Sequence, residues 1–254
     1  CAGGSVAAFG HHRAMLELHD LTLRYGDDPA VDRVSCSFTP GTLTAIVGPA
    51  GAGKTSLLDL VSGHRRAQGG AVLLRGQDIT RVPVAARVRR GIGRGFRVPA
   101  LFGPASVLEN VRLAVQARRR EGLNLWTVAS DHRNTLERAH ALVERVRLAE
   151  QADLPAARLA PGEARRLELA MLMALEPSVY LLDEPSAGLG PHEWPAVLEQ
   201  IRALKLQQGK VILLAEQRLE PQHELVDRVL LMQHGRIAAD GEPGAASRLR
   251  GRAA

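Results

Sequence analysis

The chain has 254 residues, of which 45% are hydrophobic and 24% charged, enough apolar material for one large core or two smaller ones, so global disorder is excluded. A formal net charge of +6 suits an anionic partner, whether nucleotide, nucleic acid or membrane surface. Two cysteines, Cys1 and Cys36, are too few for a disulfide framework, and no apolar run approaches the roughly 18 to 20 residues of a spanning helix. One α/β domain carrying an inserted subdomain is the expected organisation.

Residues 1–14 show neither a helical nor a strand period and read as a linker or leader. Leu16, Leu18, Leu21 and Leu23 then predict a strand broken near Asp20, with Val31 to Phe38 as its neighbour and Cys36 a buried thiol within it. Tyr25 falls in the turn between, placed either to stack on an adenine ring or to pack against the sheet edge. The apolar run Leu43 to Val47 leads into Gly48-Pro49-Ala50-Gly51-Ala52-Gly53-Lys54-Thr55, followed by Ser56. A buried strand, a glycine-rich turn and a helix in that order form a phosphate-binding loop. The glycines let backbone N–H groups face inward, and the helix brings its positive end to the same point. Lys54 would reach the terminal phosphates, and Thr55 would offer its hydroxyl to the bridging Mg2+. Among 33 lysines and arginines only Lys54, Lys205 and Lys210 are lysines. A lysine kept in this loop fits the need for a point charge on a flexible stem.

Leu57, Leu58, Leu60 and Val61 give the following helix its apolar face. A strand from Ala71 to Arg75, a turn at Gly76-Gln77-Asp78 and a basic helix from Pro83 to Arg90 come next. Arg87, Arg89, Arg90, Arg94 and Arg97 are expected to form a solvated face, and Gly91 to Phe102 a connecting loop. Helical periodicity then returns in Ser106 to Arg120 and Leu136 to Leu148, without strands, which indicates a helical insertion. The insertion ends in a helix from Glu163 to Leu175. The buried strand Ser178 to Leu182 carries Asp183 and Glu184 at its carboxyl end, where one carboxylate can hold the magnesium shell and the next can polarise water. A helix from Pro191 to Gln208, a strand from Lys210 to Ala215 and a hairpin-like end from Arg228 to Ala238 complete the pattern.

From Met15 onward the chain resembles the ATP-binding subunit of an ABC transporter. The resemblance rests on the loop Gly48 to Thr55, on Val179-Tyr180-Leu181-Leu182-Asp183-Glu184-Pro185, on Ser186-Ala187-Gly188-Leu189, and on the helical insertion between them. Gly91-Ile92-Gly93-Arg94 and Val107-Leu108-Glu109-Asn110-Val111 are most similar to bacterial importers of branched-chain amino acids, amides or urea. The implied fold is an α/β P-loop NTPase of ABC type. It has a RecA-like core with an antiparallel β subdomain over 15–95 and 176–254, and an α-helical subdomain over 96–175. The resemblance also implies ATP and Mg2+ as cofactors and Glu184, Lys54 and Gln217 as catalytic residues. Tyr25, the loop Gly48 to Ser56 and Asp183 would bind nucleotide, with Thr55 and Asp183 at the metal.

Two such subunits would pair head to tail, each ATP lying between one phosphate loop and the partner's signature helix. They would sit under an integral membrane permease at the cytoplasmic face of a bacterial inner membrane, with no nucleic acid. The signature would be Ala160, Pro161, Gly162 and Glu163, where the family usually has Ser-Gly-Gly; Ala160 lacks a hydroxyl and Pro161 lacks an N–H. Arg97 stands where the family places a glutamine that touches magnesium. Gln217 stands where most members have a histidine, and Gly190 replaces a polar residue at the inter-subunit loop. Loss of one preorganised donor costs about 2.7 to 4 kcal/mol in a catalytic site, so nucleotide binding should survive these changes better than turnover. A regulatory subunit with little turnover and a soluble ABC ATPase are the alternatives. A GTP switch is disfavoured because no Asn-Lys-x-Asp segment is present.

Overall fold

A computed structural model describes residues 14–119, 129–218 and 223–243. The linker expected over residues 1–14 therefore lies, but for Ala14, outside the described residues, as does Arg120. In chain order, β1 (Leu16–Tyr25), β2 (Asp28–Phe38) and β3 (Thr42–Val47) precede α1 (Lys54–Ser62). β4 (Gly69–Leu74), β5 (Gln77–Asp78), α2 (Val84–Arg89) and β6 (Ile92–Gly95) follow. Three helices, α3 (Val107–Arg119), α4 (Ala129–Arg145) and α5 (Pro161–Ala174), separate these from β7 (Val179–Asp183). Then come α6 (Trp194–Lys205), β8 (Val211–Glu216), β9 (Arg228–Gln233) and β10 (Arg236–Gly241).

The strands form two sheets, an antiparallel one ordered β2-β1-β4-β5 and a six-stranded one ordered β10-β9-β3-β8-β7-β6. Only β10 runs antiparallel in the second. The break expected near Asp20 is present as a bulge. Leu18 and Leu21 are three residues apart and would face opposite sides of a regular strand. A register shift between them, with Asp20 at φ 45, returns Leu21 to the buried face. The bulge is fixed from β2, where the Ser35 hydroxyl accepts the Asp20 N–H at 2.8 Å.

In the parallel sheet β3, β7 and β8 are almost wholly buried, because both faces are covered. Leu43, Ala45, Tyr180, Leu182, Ile212 and Leu214 pack with α5 and α6 residues. Their alternate neighbours Ile46, Val179, Leu181, Val211 and Leu213 pack with α1 and the antiparallel sheet. Each strand thus joins two cores, and its carboxyl end, still buried, leads into the loops that follow.

Two expectations are corrected. Gly91 to Phe102 is not all loop: β6 pairs parallel with β7 as the sheet's edge strand. Its glycines hid it, and they serve packing. A Cβ on Gly93 would lie 2.8 Å from the Pro177 ring, and one on Gly95 3.3 Å from both Leu172 and Leu182. The arginine run is also not a uniformly solvated face, since Arg87 and Arg94 are buried. Arg87 Nη1 donates to the Leu60 and Val61 carbonyls at 2.7 and 2.8 Å, Nη2 to Thr80 O at 2.7 Å and Nε to Val82 O at 2.8 Å. A buried cation thus closes the last turn of α1, where the helix dipole is negative. Arg87→Met should lose at least about 3 kcal/mol in chemical denaturation, because it leaves several buried carbonyls without donors; an unchanged midpoint would show that the cap is dispensable.

Candidate functional site

β3 ends at Val47 and the loop turns under two tight constraints. A Cβ on Gly48 would meet Met232 O at 2.2 Å, and Gly53, at φ 100, would bring one within 2.1 Å of Ala30 O. Only glycine satisfies either position. The turn places the amino end of α1 at a cavity of ≈ 420 Å³ lined by residues 50–56 together with Tyr25, Arg97, Glu184, Gln217 and His234. That volume lies within the usual range for small-molecule sites. Gly48 and Pro49 line an adjoining cavity that also touches Gln217. Tyr25, the last residue of β1, is largely exposed, with the Arg65 guanidinium 5.6 Å from its ring centroid. Its backbone pairs with Asp28 of β2, and its ring lies at the cavity wall.

The lysine and Glu184 meet at this cavity, and Asp183 lies behind Thr55. Lys54 Nζ donates to Gly48 O and Pro49 O at 2.8 and 2.9 Å and lies 4.0 Å from Glu184 Oε1. Thr55 Oγ1 donates to Asp183 Oδ1 at 3.2 Å. The other oxygen, Oδ2, accepts from Arg94 Nη2 at 2.9 Å, and the same nitrogen is 2.9 Å from Asp59 Oδ1. Burial pushes the Asp183 carboxyl up, while Arg94 and the Thr55 hydroxyl hold it down. Glu184 takes the unusual φ of 42, which costs a residue with a side chain on the order of 1–3 kcal/mol. Gln217 Nε2 donates to both Glu184 oxygens at 3.3 Å, and Arg97 Nε sits 3.2 Å from Oε2.

Among the described residues no group of three His, Cys, Asp or Glu side chains could hold a metal ion. Beside the loop one hydroxyl and one carboxylate, Thr55 and Asp183, stand 3.2 Å apart. They fit an ion such as Mg2+, which keeps several waters and takes its other ligands from a substrate's phosphates.

Ala160, Pro161, Gly162 and Glu163 form the start of α5 and are not among the residues lining this cavity. Proline opens the first turn, where a missing N–H is harmless. Glu163 Oε2 accepts the Ala160 N–H at 2.9 Å, and Glu193 Oε1 accepts the Gly162 N–H at 2.8 Å. Glu193, 31 residues from Gly162, went unnoticed in the sequence because nothing local marks the pairing. The same helix grips the segment after β6. Arg165 donates to the Phe96 and Arg97 carbonyls, and Glu168 Oε1 accepts the Phe96 N–H at 3.0 Å.

Comparison with known proteins decides the family. Residues 31–187 match the model of the ABC transporter family. The high-affinity branched-chain amino acid transport ATP-binding protein LivG of Escherichia coli (strain K12) is 34% identical over 234 residues, covering 90% of this chain and 92% of LivG. BraF of Pseudomonas aeruginosa, described by the same function, is 32% identical over 240 residues, covering 91% of this chain and 92% of BraF. The crystal structure of a nucleotide-free ATP-binding cassette from an ABC transporter superposes with a TM-score of 0.79 at 25% identity, over 93% of this chain and 95% of that one. The chain belongs to the ABC transporter family. It is an ATP-binding subunit that couples ATP hydrolysis to transport, and its two sheets with inserted helices are the α/β P-loop architecture of ABC type.

In this ABC subunit one further carboxylate stands at the site. Glu216, the last residue of β8, accepts from Ser186 N at 3.1 Å and Ser186 Oγ at 2.9 Å, and burial pushes it up to about 7. Between its ordinary value of 4.5 and about 7, the folded chain holds this proton more tightly than the unfolded one. Stability therefore falls as pH rises through that window. Glu216→Gln keeps an acceptor for Ser186 and removes the charge. It should be more stable than the parent at pH 8 by on the order of 2–3 kcal/mol, with the gain vanishing toward pH 5; a difference independent of pH in thermal melts would rule this out.

Proposed function

We propose that this subunit binds Mg-ATP at the cavity beside Lys54 and hydrolyses it to drive import of branched-chain amino acids or related small amides. The solute class rests on the likeness to LivG and BraF. The nucleotide reading rests on one observation above all: Thr55 and Asp183 lie 3.2 Å apart beside a lysine that is 4.0 Å from Glu184.

In this reading the loop amides from Gly51 to Ser56 and Lys54 hold the phosphates, and Tyr25 stacks on the adenine. Thr55 and Asp183 would hold Mg2+, which when bound would offset the charge of the phosphates. Glu184 accepts the proton of the attacking water, and Gln217, donating to both Glu184 oxygens, orients that carboxylate. Residues 15–95 and 176–254 act as the nucleotide-holding core and residues 96–175 as the helical unit that follows it. A second ABC subunit supplies its signature to this cavity, and Ala160 to Glu163 face that partner's loop in turn. The pair works at the cytoplasmic face of a membrane, under a permease that spans it; no described helix is long and apolar enough to do so itself.

A second reading, a nucleotide-holding subunit with little turnover, draws support from the signature. Pro161 has no N–H, Ala160 has no hydroxyl, and Glu163 and Glu193 occupy the Ala160 and Gly162 N–H groups. The ATPase rate of the assembled complex separates the two. Glu184→Gln should lower it at least about a hundredfold if the carboxylate is the general base; indistinguishable background rates in parent and variant would leave only the regulatory reading.

A further inference from the structure

The surroundings of Arg97 give it a task. Its backbone is fixed: the carbonyl accepts from Arg165 Nη2 at 2.6 Å, and the preceding Phe96 N–H is held by Glu168 at 3.0 Å. Its side chain is 63% exposed, lines the same cavity as residues 50–56, and, among the described residues, is tethered where Nε lies 3.2 Å from Glu184 Oε2. An ion pair so open to water is worth about 0–1 kcal/mol, so exchanging it for another anion costs little.

We propose that Arg97 is a phosphate ligand, a guanidinium that moves from Glu184 onto the terminal phosphates of the bound nucleoside triphosphate and makes binding less dependent on a divalent cation. The inference rests on the nucleotide reading above. Guanidinium cannot coordinate a cation, but it binds phosphate oxygens through a planar fork of donors. The carboxylates that would draw a cation are already engaged. Asp183 is shared between Thr55 and Arg94, and Glu184 among Lys54, Arg97 and Gln217. A neutral residue at position 97 would leave Lys54, already beside Glu184, as the side-chain cation facing the incoming polyanion there, and more of that charge would fall to magnesium. With arginine there, a polyanion entering the cavity meets a cation that can turn to it from a fixed backbone. Once Arg97 departs, Glu184 keeps the Gln217 amide as its orienting partner and is free to accept a proton.

The test is titration of a fluorescent ATP analogue into the full chain, its Arg97→Gln variant and its Arg97→Lys variant, each with magnesium and again with EDTA. Chelation should weaken binding to Arg97→Gln at least about tenfold more than to the parent, the equivalent of one charge-assisted hydrogen bond. Arg97→Lys, which keeps the charge without the fork, should fall between them. An equal or smaller penalty in Arg97→Gln overturns the inference while leaving the nucleotide reading standing. Failure of all three proteins to bind the analogue under either condition overturns both.

Discussion

The site depends on how two parallel strands end. β3 and β7 are not neighbours; β8 lies between them, and its register sets them level, with Val47 opposite Glu216 and Asp183 opposite Ala215. The loop after one strand and the carboxylates after the other therefore emerge side by side. The residues that fix this register are apolar and buried on both faces, so the geometry of a charged site is held by the hydrophobic packing behind it. A slip of one residue would turn every side chain of the strand to the opposite face and would cost the core long before it cost the chemistry.

Around that junction cations and carboxylates alternate. Lys54, Arg94 and Arg97 each face at least one of Asp59, Asp183 and Glu184. The members differ in exposure, and exposure decides their roles. Arg94 is buried, and its pairing with Asp183 and Asp59 is a fixed support. Arg97 reaches solvent and can exchange partners at little cost. Buried Arg165 and Glu168 tie the α5 helix to the backbone on which Arg97 stands, so motion of that helix would carry the guanidinium with it.

Much of this was legible in the sequence, for reasons that differ residue by residue. The turn from β3 into α1 was readable because a glycine-rich run at fixed spacing sits between an apolar strand and a helical period. Asp183 and Glu184 were readable because an unbroken apolar strand precedes them. The Asp20 bulge could be seen because leucines three apart cannot share a strand face without one. β6 escaped notice because its glycines exist to admit Pro177 and Leu172, residues far along the chain. The burial of Arg87 and Arg94 escaped because a run of arginines normally means solvent, and their partners, the α1 carbonyls and two aspartates, are joined to them only by the fold. Glu193 on the Gly162 N–H is the same kind of fact.

The central claim is that Lys54 and the loop around it hold the phosphates of ATP. Calorimetric titration of the chain and of Lys54→Ala with ATP and magnesium tests it directly. The account predicts saturable one-site binding by the parent and an affinity at least about tenfold weaker in Lys54→Ala, as loss of a charged phosphate contact requires. Equal affinity in the two proteins would contradict it.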